Sequence, residues 1–347
     1  MLTRISAIVL VLLAPAGCSP LTVSFTLFAD NGRLRETVVE SDANAGEAKV
    51  VMIDIRGLIA DREDSGLLSR GPNPVDDLVA KLRRAEQDRG VKGVILRINS
   101  PGGTVAASDM MYREVRAYAQ RTGHPVVASL GEIAASGGYY LALSADRIVA
   151  EPASITGSIG VIIPTVNVSE GLARIGIRSR SVTSRPNKDL ANPLEPMREE
   201  HYAVLQGLVD EFYDRFRSLA VERRGPSHAG SASADAAPVR LIDMAKVETL
   251  TDGRVMTGVK AEEAGLADQT GGIHEAFDVA KRLAGLHAAR LVKYYREDSD
   301  RPRTAYASSA VPPEGQGSEI NLLQLRLGGS ALGWPTPGAY YLWLPPG

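Results

Sequence analysis

Residues 91–103 read VKGVILRINSPGG, and this stretch decides the fold. Its apolar, β-branched part from Gly93 to Ile98 has the length and composition of a buried strand. A turn with two adjacent glycines follows, and residues 105–122 then carry the periodicity of a helix. The stretch therefore predicts a strand that passes through a glycine turn into a helix.

The same alternation of strand and helix continues on both sides. Residues 50–55 form another β-branched run, and between the two runs apolar side chains recur at helical spacing, at Val75, Leu78, Leu82 and Ala85. Further along, the pattern predicts strands at 125–130, 147–150 and 160–168, a short helix at 136–144 and a long amphipathic helix at 197–224. This alternation is typical of an α/β domain with a largely parallel, buried sheet. The apolar face of the long helix is predicted to pack on the sheet or on a neighbouring subunit, and consists of Leu205, Leu208, Val209, Phe212, Phe216 and Leu219.

The composition excludes several classes of protein. The chain has 347 residues, of which 44% are hydrophobic, so a globular enzyme with a sizeable core is allowed. With 39 basic and 41 acidic side chains, the net charge of -2 offers no basic surface for nucleic acid or an anionic membrane. The one cysteine, Cys18, rules out an intrachain disulfide framework and a multi-cysteine metal site, and we predict no metal or nucleotide cofactor.

The N-terminus has the layout of a secretory signal peptide. Arg4 precedes an apolar run at residues 5–13, and small residues lead from there to Cys18. Residues 16–18 resemble the ending of a bacterial lipoprotein signal, so we predict that Cys18 is lipidated and anchors the protein to the membrane, facing away from the cytoplasm. Pro15 departs from that ending, which leaves two alternatives: a cleaved signal with an incidental cysteine, or an uncleaved anchor that continues to Phe28.

Shifts in composition divide the chain. We predict a signal peptide at 1–18, a spacer at 19–48 and a catalytic domain at 49–286. A stretch rich in Gly, Ser, Ala and Pro at about 225–238 is predicted to be a flexible insertion. Residues 287–347 form a C-terminal tail with a low-complexity stretch at 300–319, after which residues 320–327 and 340–344 could form strands.

Two segments could carry chemistry. The glycines of residues 99–103 allow a backbone N–H to approach a bound carbonyl, as in an oxyanion hole, although a purely geometric turn is an equal alternative. Ser136 lies between small residues at a predicted helix N-terminus, where a nucleophile gains from the helix dipole. A serine at that place is more commonly a simple helix cap.

Five segments together resemble the signal peptide peptidase A family of serine peptidases. They are residues 99–103, 134–140, 156–161, 188–189 and 252–255, the last followed by Gly258, Ala261, Gly265, Leu266 and Asp268. Their order and spacing match the family over residues 49–286. The resemblance implies the spiral α/β fold of the Clp and crotonase superfamily, with largely parallel sheets and flanking helices.

The resemblance also implies a role for individual residues. Ser136 corresponds to the nucleophile of a Ser-Lys dyad, Lys188 to its general base, and Ser158 to the serine that hydrogen-bonds the lysine. A lysine acts as a base only when neutral, so Lys188 must then be desolvated. The implied oxyanion donors are the N–H groups of Gly137 and Gly103, with Gly102 as the alternative to Gly103.

The expected function is that of a membrane-associated serine endopeptidase, assembled into a homo-oligomeric ring. It would cleave extended apolar peptides, such as spent signal peptides, through an acyl-enzyme. None of the five histidines follows Ser136 closely, and His124 stays open as an alternative base. Two other functions on the same fold also stay open: a crotonase-like acyl-CoA enzyme and a non-catalytic membrane scaffold.

Overall fold

The computed structural model describes residues 34–62, 64–65, 70–226, 239–296, 299, 301–307 and 338–343. Its strands are β1 (Leu34–Ser41), β2 (Lys49–Arg56), β3 (Asp64–Ser65), β4 (Arg70–Gly71), β5 (Val91–Ser100), β6 (Gly102–Thr104), β7 (Val126–Ala135), β8 (Arg147–Ala150), β9 (Ile155–Gly157), β10 (Val255–Thr257), β11 (Gln269–Thr270), β12 (Arg290–Arg296) and β13 (Tyr340–Leu342). Its helices are α1 (Pro74–Gln87), α2 (Val105–Thr122), α3 (Gly137–Ala142), α4 (Ser169–Arg174), α5 (Glu199–Arg224), α6 (Val247–Leu250), α7 (Gly258–Glu263) and α8 (Ile273–Leu283), and a 3₁₀ turn at Met244–Lys246 precedes α6.

One large sheet organises these elements, in the order β1-β12-β2-β5-β7-β8-β11. Every neighbouring pair from β12 to β11 is parallel, and β1 pairs antiparallel with β12 at the edge. β9 continues the sheet beside the end of β7 and pairs antiparallel with β10. The predicted α/β class, with a largely parallel sheet and flanking helices, is confirmed.

Alternate residues of β5 face two hydrophobic layers. Val94, Leu96 and Ile98 belong to the core between the sheet and helices α1, α2, α3 and α5, whereas Ile95 belongs to the core under α8. Each of these side chains is fully buried. Because side chains alternate across a strand, a strand covered on both faces is an unbroken apolar run. This is why β5 could be recognised in the sequence.

Helix α2 has the predicted bounds because both its ends carry capping residues. The Thr104 hydroxyl accepts a 3.2 Å hydrogen bond from the N–H of Ala107, which satisfies a free donor of the first turn. At the other end Gly123 has a φ of 69°, a left-handed conformation that suits glycine and ends the helix.

The sheet extends beyond the domain boundaries that the sequence indicated. β1 lies within the stretch predicted as a spacer, and β12 lies within the predicted tail. The two strands pair with each other, and β12 also pairs with β2. Their contacts join residues about 250 positions apart, which a local pattern does not show.

Residues 160–168 do not form the predicted strand. Among them only Ile162 forms an isolated bridge, and the residues up to 198 form α4 and irregular backbone that is largely exposed. The apolar residues of this run have no neighbouring strand along their length, so periodicity alone misassigned them.

Other expectations fall on residues outside the described part of the chain. These are the signal peptide with Cys18, most of the insertion at about 225–238, and residues 308–337 of the tail. Among the helices of the described residues, none has both the length and the hydropathy that crossing a membrane requires.

Candidate active site

The glycine turn after β5 is held by Ser100. The Ser100 hydroxyl donates a 2.6 Å hydrogen bond to the Gly57 carbonyl and accepts a 3.0 Å bond from the N–H of Gly102. On the far side of the turn, the carbonyl of Gly102 accepts a 2.8 Å bond from the N–H of Ile59. The turn is therefore anchored to residues 57–59 by both side-chain and backbone bonds.

Gly103 is a glycine because Ile59 lies against its α-carbon. A Cβ atom built on Gly103 would lie 1.8 Å from the Ile59 carbonyl oxygen, far inside van der Waals contact. The bonds to Ile59 come from Gly102 and Thr104, so the N–H of Gly103 points away from Ile59. It faces β13, where Tyr341 is its partner in register.

Ser136 connects β7 to α3 in an unusual conformation. Its φ is 52° and its ψ is -115°, and it is held there by two 2.8 Å backbone bonds, from its N–H to the Gly157 carbonyl and from the Tyr140 N–H to its own carbonyl. The residue is 1% exposed. Its hydroxyl is buried and has no hydrogen-bond partner among the described residues. A buried, unpaired hydroxyl on strained backbone indicates a functional position.

The predicted oxyanion glycines surround a single point next to Ser136. A Cβ atom built on Gly137 would lie 3.0 Å from the nitrogen of Gly103, and one built on Gly102 would lie 2.7 Å from the nitrogen of Gly137. Gly137 begins α3, so its N–H has no acceptor within the helix. The fold thus brings Ser136, Gly102, Gly103 and Gly137 together.

Ser158 also belongs to this cluster. Ala135 and Gly157 are the last paired residues of the parallel strands β7 and β9. Ser136 directly follows β7, and Ser158 directly follows β9. Ser158 is 7% exposed, has a φ of 51°, and donates its N–H to the Arg254 carbonyl at 2.7 Å. It therefore lies beside the candidate nucleophile, and its predicted hydrogen bond to Lys188 stays a prediction.

Lys188 makes no hydrogen bond to the Ser136 hydroxyl in this structure. It lies in a series of turns within residues 161–198, its side chain is exposed, and its N–H donates to the Arg185 carbonyl at 3.1 Å. The predicted pairing of Lys188 with Ser136 therefore stays a prediction.

His124 is at the wrong end of β7 to act on Ser136. It precedes the strand and Ser136 follows it, and the ten residues of β7 span about 30 Å. The His124 ring is hydrogen-bonded at 3.0 Å to the Tyr118 hydroxyl, and burial, with a smaller contribution from Lys92, lowers the pKa of His124. The alternative of a histidine base at this position is therefore excluded.

An aromatic pocket adjoins the serine, and the sequence did not indicate it. The ring of Tyr341 stacks on Tyr140 with centroids 5.0 Å apart and contacts Phe216 at 4.7 Å. The Tyr341 hydroxyl donates a 2.9 Å bond to the carbonyl of Phe212, and the residue is fully buried. The only signal in the sequence was the apolar segment at residues 340–344, which could form a strand but gave no indication of its neighbours.

The wall of this pocket is fixed by a polar network on its other side. The Tyr140 hydroxyl donates a 2.8 Å bond to Asp109, which also pairs with Arg215. Burial works to raise the pKa of Asp109, but the hydrogen bonds from Arg215 and Tyr140 outweigh it and hold that pKa below its usual range. Tyr140 is thus held in one orientation by a charged group.

The chain is similar in sequence to several known proteases. The sequence model of peptidase family S49 matches residues 118–238. A protein of Enterococcus faecium named for signal peptide peptidase SppA is 32% identical over 81% of this chain and 75% of its own length. Protease 4 of Haemophilus influenzae is 33% identical over 68% of this chain, and the chloroplastic serine protease SPPA of Arabidopsis thaliana is 32% identical over 61%. These two matches span 35% and 29% of the relatives' own lengths.

Among solved structures, a mutant of the 1510-N membrane-bound stomatin-specific protease is similar, with a TM-score of 0.39 and 17% identity. The match covers 67% of this chain and 84% of that one.

Proposed function

The chain belongs to the signal peptide peptidase A family of serine peptidases, peptidase family S49, and from this premise we propose that it is an endopeptidase with Ser136 as its nucleophile. The observation that carries the proposal is the buried Ser136 hydroxyl, which has no hydrogen-bond partner among the described residues. Ser136 precedes Gly137, and a Cβ atom built on Gly137 would lie 3.0 Å from the amide nitrogen of Gly103. A serine peptidase needs these groups: a hydroxyl free to attack, and donors for the oxyanion that forms. Membership of a serine peptidase family disfavours the two alternative functions, a crotonase-like acyl-CoA enzyme and a non-catalytic membrane scaffold.

The oxyanion hole consists of the N–H groups of Gly103 and Gly137. Gly102 is the weaker candidate because its N–H already donates to the Ser100 hydroxyl. The Gly103 N–H is on the side of β13, and the Gly137 N–H has no acceptor within α3. Attack by Ser136 puts negative charge on the carbonyl oxygen, and two fixed donors stabilise that charge with little reorganisation.

Lys188 is the general base of this proposal. It takes the proton of Ser136 and passes it to the departing amine, and a water molecule then hydrolyses the acyl-enzyme. Because Lys188 is exposed in the single chain, this role requires residues 161–198 to be covered when the enzyme is assembled. The exposed apolar side chains of the same segment support such cover: Val182 is 99% exposed, Ile175 70% and Ile177 51%.

The proposed substrates are extended apolar peptides in or near the membrane, such as spent signal peptides. Gly103 lies in the short strand β6, which pairs along one edge with the extended segment β13, and a peptide substrate in an extended conformation can pair along the same edge. A membrane anchor through lipidated Cys18 would raise the local concentration of these peptides.

The nucleophile is tested with a fluorophosphonate probe and a peptidase assay on the purified protein. We expect mass spectrometry to locate the adduct on Ser136, and Ser136→Ala to lose both labelling and cleavage while keeping its far-ultraviolet circular dichroism. Ser154→Ala is the matched control, because Ser154 also has a buried hydroxyl with no hydrogen-bond partner in the described part of the chain. Labelling of another residue, or cleavage by Ser136→Ala, would remove Ser136 from this role.

The roles of Lys188 and of oligomer assembly are tested in one set of variants. Lys188→Ala should lose cleavage, and Val182→Asp should lose both the oligomer, measured by light scattering, and cleavage. Lys92→Ala and Val259→Asp are the controls, because they change exposed residues outside this segment. Both variants should keep the oligomer and full cleavage. A fully active monomer would contradict the need for assembly.

Substrate class and anchoring need separate measurements. In detergent, a synthetic signal peptide should be cleaved faster than a polar peptide of equal length or a stably folded protein. Equal rates for the three substrates would indicate a general peptidase with no preference for signal peptides.

The membrane anchor is tested with Cys18→Ser, which should release the protein from the membrane fraction. An intact mass without lipid on Cys18 would contradict the anchor.

A further inference from the structure

The proposed mechanism does not use His201, a histidine that is buried at the start of α5. Its side chain is 3% exposed, although Glu199, Glu200 and Tyr202 in the same helical turn are all exposed. A polar ring that is buried at an otherwise exposed turn must be covered by another segment of the chain. The contacts of His201 identify this segment as the turn that carries Lys188.

His201 and Arg198 contact this turn on both sides of Lys188. Before Lys188, the His201 Nε2 atom lies 3.0 Å from the Pro186 carbonyl oxygen, and the Arg198 guanidinium donates to the same oxygen. After Lys188, the Asp189 Oδ1 atom lies 3.7 Å from His201 Nε2 and 3.7 Å from the Arg198 guanidinium. A carbonyl oxygen can only accept, so the bond to Pro186 requires the proton of His201 to be on Nε2. We call these two side chains, Arg198 and His201, the clamp.

The carboxylate of Asp189 depends on the clamp. Its Oδ1 atom is buried and accepts no hydrogen bond within the part of the chain that the structure describes. A carboxylate that leaves water needs an opposite charge nearby, and Arg198 supplies it. Since Asp189 follows Lys188 directly, a fixed Asp189 carboxylate also fixes the backbone from which the Lys188 side chain extends.

Helix α5 connects the clamp to the body of the enzyme. Near the other end of the helix, Arg223 donates to the carbonyls of Leu143 and Ala145 at 2.9 and 3.0 Å. Between the two ends, Phe216 is fully buried in the core. A functional group that is attached to a rigid element is placed more precisely than one on a free loop. The clamp therefore attaches the turn of Lys188 to a helix that the core holds in place.

We propose that His201 and Arg198 are positioning residues, which fix the turn of residues 186–189 so that Lys188 reaches Ser136 in one orientation. The inference rests on the proposed role of Lys188 as the general base. Neither clamp residue takes part in proton transfer or binds the substrate. Because proton transfer from Ser136 depends on the orientation of the base, loss of the clamp should slow the chemical step and leave substrate binding unchanged.

His201 is tested by the kinetics of the full-length enzyme on the synthetic signal peptide, with kcat referred to the amount of folded protein. His201→Leu has a side chain of similar size without a polar atom, and should lower kcat about 10- to 100-fold while KM changes less than about threefold. His201→Gln restores an N–H donor and should recover most of the lost kcat. His274→Leu changes an exposed histidine and should alter neither constant.

Arg198 and the turn itself provide two independent measurements. Arg198→Met should also lower kcat at nearly constant KM, whereas Arg217→Met, which removes a guanidinium further along α5, should not. The amides of Lys188 and Asn192 are hydrogen-bonded within the turns, at 3.1 and 3.0 Å. Hydrogen exchange at these two amides should be faster in His201→Leu than in His274→Leu, because the turns open more often without the clamp.

The outcomes separate the clamp from the proposed function. Normal kcat in either His201→Leu or Arg198→Met, together with an inactive Lys188→Ala, would overturn the clamp and leave the proposed function standing. Equal losses in His201→Leu and His201→Gln, or a loss confined to KM, would overturn it as well. Full activity of Lys188→Ala would instead refute the general base on which the inference rests.

Discussion

The backbone N–H of Ser136 donates a 2.8 Å hydrogen bond to the carbonyl of Gly157, and the pair holds the candidate nucleophile at a φ of 52°. Gly157 is itself the last residue of β9, which pairs with β7. A non-glycine residue in such a conformation costs about 1–3 kcal/mol of folding free energy, and contacts elsewhere in the fold must offset this cost. The sheet therefore maintains strain at the residue proposed to react.

The first prediction concerns this strain. Ser136→Gly relieves it, because glycine adopts positive φ freely, whereas Ser136→Ala retains it. Chemical denaturation should give Ser136→Gly a free energy of unfolding about 1 kcal/mol above that of Ser136→Ala, with both variants inactive. Ser129→Gly, inside β7, should instead lose about 1 kcal/mol. Equal stability of the two Ser136 variants would show that the conformation is not strained.

A second prediction concerns the turn that carries Gly103. In Gly103→Ala the new methyl group would lie 1.8 Å from the Ile59 oxygen, so the turn must move and its N–H with it. We expect a loss of about 1–3 kcal/mol in the free energy of unfolding and at least about 100-fold in kcat/KM.

Gly207→Ala is the control for that variant, since nothing lies within 4 Å of its new methyl group on α5. It should keep full activity and gain up to about 1 kcal/mol of stability. Full activity of Gly103→Ala would mean that its N–H is not an oxyanion donor.

The sequence predicted those parts of the fold that local pattern determines. Helix α2 appeared with its true bounds because Thr104 and Gly123 cap it, and β5 was found because both its faces are buried. β1 and β12 were assigned to a spacer and a tail, since their pairing joins residues far apart in the chain. Residues 160–168 have the apolar content of a strand, but among the described residues they form only the isolated bridge from Ile162 to Tyr340.

The candidate site also has one part that local sequence pattern predicted and one part that it did not. The glycines and Ser136 carry a local signature, and the fold brings them together with Ser158. The aromatic cluster of Tyr140, Phe216 and Tyr341 combines side chains of α3, α5 and β13, and no sequence motif indicates that residues so far apart in the chain meet. Lys188 was assigned by resemblance alone, and its pairing with Ser136 stays a prediction.

A third prediction concerns the buried ion pair that joins α5 to the segment after α7. Arg224 bonds to both oxygens of Asp268, at 3.0 and 3.1 Å, and the two side chains are 3% and 7% exposed. Arg224→Met leaves a buried carboxylate without its partner and should cost about 3–5 kcal/mol of unfolding free energy. Arg217 pairs with the exposed Glu248, so Arg217→Met should cost less than about 1 kcal/mol. Similar losses from the two variants would contradict this ranking.

The last prediction follows from a set of buried phenols. Burial raises the pKa of six tyrosines in the described part of the chain, namely Tyr112, Tyr118, Tyr139, Tyr140, Tyr294 and Tyr341. In the unfolded chain a phenol ionises near pH 10, whereas in the folded protein these groups keep their protons to higher pH. Their contribution to stability is therefore complete below about pH 10 and is lost as the pH rises above it, by up to about 1.4 kcal/mol per pH unit for each group.

Denaturation at a series of alkaline pH values should show this decline in the free energy of unfolding, and phenolate absorbance should rise together with unfolding. Tyr139→Phe removes one buried phenol and should make the decline less steep, whereas Tyr306→Phe changes an exposed ring and should not. Phenolate absorbance that rises fully while the protein is still folded would contradict the prediction.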